Sequence, residues 1–156
     1  MTALPTDRVT FRGATVNRAT RAYLLWVEEA LPFHLEIVQG SYRPVSDVSG
    51  STHTGGGVVD LRTRTLTTAQ RSRLLRRCRD GGAAAWLRDE RDGFDPHLHL
   101  CLYGDGAQDM AASAQRQRLA YDKGLNGLDN AKADRYPYRP DPRVKWSWAK
   151  DTPVRR

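Results

Sequence analysis

Between Asn17 and Leu31, apolar side chains recur at three- and four-residue steps: Ala19, Ala22, Tyr23, Trp26, Val27 and Ala30. This spacing predicts an amphipathic helix. Thr15 or Asn17 is placed to cap it, and Pro32 stops its extension. Phe33 to Val38 then alternates apolar and polar positions, as a half-buried strand does. Residues 39–57 are rich in Gly, Ser, Thr and Pro and read as a long loop. A short strand follows over Val58–Arg62, with Asp60 on the face of Val58 and with Val59 and Leu61 on the other.

Thr67 and Gln70 form a capping-box pattern that opens a helix running to about Arg79. Its inner stripe is Leu74, Leu75 and Cys78, and Arg71, Arg73, Arg76, Arg77 and Arg79 are expected on its solvated side. Asp80-Gly81-Gly82 ends it. Ala83 to Leu87 reads as a strand and residues 88–95 as a charged turn. His97 to Tyr103 alternates strictly: His97, His99, Cys101 and Tyr103 face one way, Leu98, Leu100 and Leu102 the other. A last helix is predicted from Ala107 to Lys123, before Gly124. Helices mixed with short strands, without regular βαβ alternation, give an α+β fold. The expectation is a small antiparallel sheet that carries a metal site and is flanked by helices.

The 156 residues suit one domain. Residues 1–14 read as a polar lead-in and about 129–156 as an irregular tail holding Trp146 and Trp148. Those two share a face of extended chain, either packing on the domain or offering a stacking platform. No apolar run approaches the roughly 18–20 residues of a membrane span. Met1 to Gly13 lacks a signal-peptide core, so synthesis in the cytoplasm without a signal peptide is expected. The net charge of +7 draws the chain toward polyanions: nucleic acid, anionic lipid or a bacterial wall. Cys78 and Cys101 lack metal-type spacing and read as buried free thiols.

Three of the four histidines fall in two clusters, Ser51 to Asp60 and Asp95 to His99. His53 and Asp60 are seven residues apart, and His97-x-His99 follows on a strand. Such a set offers imidazole and carboxylate ligands from separate parts of a fold. Catalytic zinc sites commonly use three protein ligands and keep one position open. One histidine of the His-x-His pair can bind metal while the other stands beside the open position. Gly55 to Gly57 allow close backbone approach or positive φ. They lack the Lys and helix start of a phosphate loop. His34 reads as a structural histidine.

Ser51-x-His53-x6-Asp60 followed by His97-x-His99 resembles the zinc peptidase group of lysostaphin-type enzymes, D-Ala-D-Ala carboxypeptidases and hedgehog-like domains. The nearer likeness is to the carboxypeptidase motif S-x-H-x-x-G-x-A-x-D, with Gly56, Val58 and Asp60 in the last three places. Gln39-Gly40-Ser41-Tyr42, Thr52 to Asp60 and Gly124 to Leu128 are similar to segments of short actinobacterial and actinophage proteins. The resemblance spans roughly residues 15–130. It implies zinc ligands His53, Asp60 and His99, with His97 as catalytic helper. Carboxypeptidases of this type often carry a Glu base where this chain has Pro96, so His97, Asp92 and Asp95 are the alternatives for the base. Gly40-Ser41-Tyr42-Arg43 is similar to the group's S-G-Y-R segment and implies a catalytic role for Arg43.

The function implied is a zinc-dependent peptidase that cuts peptide bonds of bacterial peptidoglycan. It would work as a phage endolysin or a cell-wall carboxypeptidase or endopeptidase. It would reach the wall after holin-type release or lysis, and its partners would be stem or cross-link peptides and the anionic wall. Two other classes compete: a non-catalytic zinc-containing wall-binding module and a basic nucleic-acid-binding protein. The motif leaves the scissile bond open.

Overall fold

The computed structural model describes residues 3–45 and 51–144; Trp146 and Trp148 lie outside them. The chain opens with a hairpin, β1 (Arg8–Phe11) and β2 (Ala14–Asn17). This corrects the expected polar lead-in: Val9, Phe11 and Val16 turn inward and pack on the main core. α1 (Arg18–Glu29) follows directly. Its cap is Asn17, whose Oδ1 accepts from the Thr20 backbone N–H at 2.8 Å and the Thr20 hydroxyl at 2.6 Å. The amide of Asn17 donates to the Gly106 carbonyl at 2.9 Å, so one buried side chain fixes two segments.

Four strands form the main sheet: β3 (Ile37–Gln39), β4 (Val58–Arg62), β5 (Ala83–Arg88) and β6 (His97–Leu102). Their spatial order is β3-β4-β6-β5, and every pair is antiparallel. The strand expected from Phe33 shrinks to Ile37–Gln39 at the sheet edge. Two further helices complete the regular elements, α2 (Thr68–Asp80) and α3 (Ala112–Asp122). α2 starts with the expected capping box of Thr67 and Gln70. α3 begins later than predicted, because Gly104–Ala107 forms a separate 3-10 turn. The architecture is α+β, as the hydrophobic pattern implied. No helix among the described residues is long and apolar enough to cross a membrane.

Both faces of the sheet are covered. Val59, Leu61, Leu98, Leu100 and Leu102 point to one side and pack against Tyr23, Leu24 and Val27 of α1 and Leu74, Leu75 and Cys78 of α2. Val58, Ala84, Trp86 and Cys101 point to the other, against Met110, Ala114 and Tyr121. Cys78 and Cys101 are free and buried, as expected. Burial pushes each thiol up to about 12.

The arginines of α2 are not a uniform solvated face. Arg79 is fully buried. It donates to the carbonyls of Ala85, Tyr136 and Tyr138 and to the Asp134 carboxylate at 2.7 Å. Arg71 holds the Thr63 carbonyl, Arg77 lies over Trp26, and Arg76 over Tyr138. Alternation and helical period could not predict this, because the partners lie on other elements and, for Arg79 and Arg76, in the segment after α3. Replacing Arg79 by Met should cost about 1–3 kcal/mol, since it leaves the Ala85, Tyr136 and Tyr138 carbonyls without their donor while Asp134 keeps Arg139; urea denaturation measures it.

Glu28 joins three segments. It accepts from the Arg12 guanidinium and from the Leu35 backbone N–H at 2.6 Å. Burial alone would raise its carboxyl, but the Arg12 and Leu35 hydrogen bonds outweigh this and hold it near 2, against an ordinary 4.5. A carboxyl depressed on folding stabilises the fold above its unfolded value, and that contribution disappears as pH falls through the folded value. Glu28→Gln should therefore lower stability by about 2 kcal/mol at pH 7. The difference from wild type should shrink between about pH 4.5 and 2. A constant difference across that range in pH-dependent urea melts would disprove the clamp.

Candidate metal centre

Asp60 on β4 lies opposite His99 on β6. Paired residues in an antiparallel ladder project from the same face, so the register alone brings carboxylate and imidazole together. His97, two residues before His99, shares that face, between Arg62 of β4 and Arg88 of β5. Trp86 pairs with His99 on the β5 side, and its ring stacks on the imidazole with centroids 6.3 Å apart.

His53 comes from the long loop, in a 3-10 turn over Ser51–His53. The backbone N–H of Arg43 donates to the His53 carbonyl at 2.8 Å, and that of Tyr42 to the Gly55 carbonyl at 3.1 Å. The glycine run then passes under the segment before α3. A Cβ on Gly55 would stand 2.4 Å from the Asp109 carbonyl oxygen, and one on Gly56 2.1 Å from the Asp109 carboxylate. Gly57 also has φ +77, a region that disfavours side chains. The three glycines thus permit the close approach that seats His53 against the sheet.

Hydrogen bonds orient both rings. A carbonyl oxygen can only accept, so His53 Nδ1–H donates to Gly40 at 2.9 Å and leaves Nε2 facing Asp60. His99 Nε2–H donates to Gln117 Oε1 at 2.7 Å, leaving Nδ1 toward Asp60. The Gln117 amide nitrogen in turn donates to the Gly127 carbonyl at 3.3 Å, which fixes the orientation of the amide. Such outer partners commonly set the tautomer of a metal-binding histidine.

The free nitrogens converge on one oxygen. Asp60 Oδ1 lies 2.8 Å from His99 Nδ1 and 3.3 Å from His53 Nε2. Ligand atoms of the three residues all fall within 4.8 Å of one another. Tetrahedral ligands at zinc-like bond lengths stand about 3.3 Å apart. The set therefore fits a single ion with small adjustments. All three residues are buried, at 3% exposure for His53, 8% for Asp60 and 6% for His99.

The charge states suit a cation. Burial opposes ionisation of Asp60, yet the adjoining imidazoles of His53 and His99 hold the carboxyl well below the usual carboxylate range. Burial pushes His99 below its ordinary value more than Asp60 raises it. An ionised carboxylate and a neutral imidazole are the forms that ligate metal. Cys101 stays a thiol, donating to Gln117 Oε1 at 3.3 Å.

His97 stands at the rim. Its Nδ1–H donates to the Asp95 carbonyl at 2.8 Å, and its Nε2 lies 3.8 Å from Asp60 Oδ2. Phe94, itself 43% exposed, meets the ring edge-on at 5.6 Å. The sequence thus named four residues that the fold brings together: His53, Asp60, His97 and His99. Arg43 contributes its backbone to the loop, while its side chain is exposed. Asp92 is occupied by two bonds from Arg135, at 3.1 and 2.8 Å, and Asp95 is 93% exposed beside Arg64. His97 is the member of this group that reaches the cluster. His34 is at the surface beside Glu28 and takes no part.

Sequence reasoning missed Gln117, Trp86 and Arg88. Gln117 lies on a helix whose pattern gave only its existence. Trp86 and Arg88 carried a signal in their alternation, which would place them on the face of His99 once β5 is paired with β6. No family model, curated protein or solved structure matches the chain.

Asp60→Asn and His99→Ala should abolish metal uptake. Gln117→Leu should still bind metal, about 10–100-fold more weakly, in competition with a chromophoric chelator. Unchanged affinity in Gln117→Leu would show that the amide does not orient His99.

Proposed function

We propose that this chain is a zinc-dependent peptidase acting on the peptide part of bacterial peptidoglycan. The observation that carries the reading is the division of labour around Asp60: His53, Asp60 and His99 form a buried three-ligand set, and His97 stands beside it with one ring nitrogen free. The motif resemblance of Ser51 to Asp60 and His97-x-His99 agrees with that division. Two imidazoles and one carboxylate suit zinc, and they leave the site net cationic.

When bound, zinc supplies Lewis acidity, polarising a carbonyl and making water more acidic. His53, Asp60 and His99 hold the ion. The bond from His97 to the Asp95 carbonyl keeps Nε2 toward the cluster, where it can take a proton from the nucleophile and return it to the leaving amine. Asp92 is held by Arg135, which supports His97 over it as the base. The net charge of +7 favours an anionic wall, which the chain would reach after holin-type release or lysis. A nucleic-acid reading is weaker, because Arg71, Arg76, Arg77 and Arg79 of α2 are engaged within the chain.

Elemental mass spectrometry should find about one zinc per chain, as the three-ligand set predicts. His97→Ala should keep that zinc and lose about 10²–10⁴-fold in turnover on purified walls. Cleavage products analysed by mass spectrometry identify the bond. Zinc-loaded wild-type protein that leaves wall peptides intact would refute the peptidase and favour a wall-binding module.

A further inference from the structure

Two arginines are buried among the described residues, Arg79 and Arg88, and they are satisfied very differently. Arg79 spreads its donors over three carbonyls and the Asp134 carboxylate. Arg88 is 4% exposed, and one terminal nitrogen donates to the Asn126 carbonyl at 2.6 Å. Its other terminal nitrogen is buried with no hydrogen-bond partner among the described residues. Buried donors are normally satisfied, and an orphaned one on a cation is costly.

Its position gives that orphan a meaning. Arg88 pairs with His97 across the sheet, so it leaves the face that carries the metal cluster. Its guanidinium lies 4.9 Å from the centre of the Trp86 ring, which itself stacks on His99. Asp92, the acid that acts most strongly on Arg88, is hydrogen-bonded twice by Arg135 and so is shared between two guanidiniums. Asp60 is the carboxylate in the ladder row beside Arg88, and a bound cation would draw on its charge. The loaded site would then hold a metal and a guanidinium against Asp60, with Asp92 divided between Arg88 and Arg135. A buried cation whose counter-charges are shared with other cations is disfavoured, and an added anion relieves it.

We propose that Arg88 forms an anion subsite beside the metal cluster, which takes a carboxylate of the substrate peptide. The inference rests on the peptidase reading and deepens it, assigning the site to peptides that carry a carboxylate near the scissile bond. The group is either the C-terminal carboxylate or an acidic side chain. In both cases the guanidinium supplies a charge-assisted hydrogen bond and sets how far into the site the peptide reaches.

The test is calorimetric titration of the zinc-loaded full chain with three probes: N-acetyl-D-alanine, its amide, and the α-amide of N-acetyl-D-glutamate. At least one carboxylate probe should bind about 10–100-fold more tightly than the uncharged amide. The better carboxylate identifies the source, terminal or side-chain. In Arg88→Met that preference should fall to within about threefold, with zinc content unchanged. Arg88→Lys, which keeps the charge and tests the same point if the Met variant folds poorly, should retain part of it. Equal binding of amide and carboxylates by wild type overturns the subsite, as does a preference that survives intact in Arg88→Met. Zinc content, read on the same samples, separates these outcomes from failure of the metal site itself: wild type that takes up no zinc removes the peptidase reading and the subsite with it.

Discussion

The register between β4 and β6 governs the rest of this molecule. Asp60 sits opposite His99, and Leu61 opposite Leu98, because Val59, Leu61, Leu98, Leu100 and Leu102 must face α1 and α2. A slip of one residue would turn Asp60 and His99 into that apolar core and expose Val59 and Leu61. The burial that drives folding therefore also sets the distance between carboxylate and imidazole. Function is attached to the more polar row of an otherwise apolar sheet.

The other constraints are local and serve that register. Asn17 caps α1 and holds the Gly106 carbonyl, tying the hairpin and α1 to the turn that borders the glycine run. Gly55 to Gly57 let the loop lie against that turn, and Gly40 holds the outer nitrogen of His53. Gln117 does the same for His99 from α3. Each imidazole is thus oriented from behind by a neutral acceptor, which leaves Asp60 as the carboxylate of the cluster. A neutral acceptor raises ligand basicity less than a carboxylate would, so the cluster keeps its cationic character once an ion is bound.

Two buried guanidiniums show how the same residue type does different work. Arg79 is saturated by carbonyls and by Asp134, and it staples the segment after α3 to the sheet. Arg88 keeps an unspent donor next to the cluster. A fully satisfied buried cation reads as structure, and a partly satisfied one beside a metal set reads as a place for a ligand.

The sequence by itself determined the α+β class, the capped start of α2, the inward stripe of leucines and the four residues His53, Asp60, His97 and His99. These follow from local periodicity and from short spacings within two segments, 51–60 and 95–99, which survive in one dimension. It missed the first two strands, because Val9, Phe11 and Val16 are too few and too scattered to show a period in a polar stretch. It also put Arg79 on the surface, because a helical wheel cannot see a carboxylate arriving from 55 residues downstream. Tertiary structure alone decided that Gln117 orients His99, that Asp92 belongs to Arg135, and that Arg88 stands in the row of His97. Those are pairings across strands and between distant segments, set by how buried faces stack, and no local pattern in the chain records them.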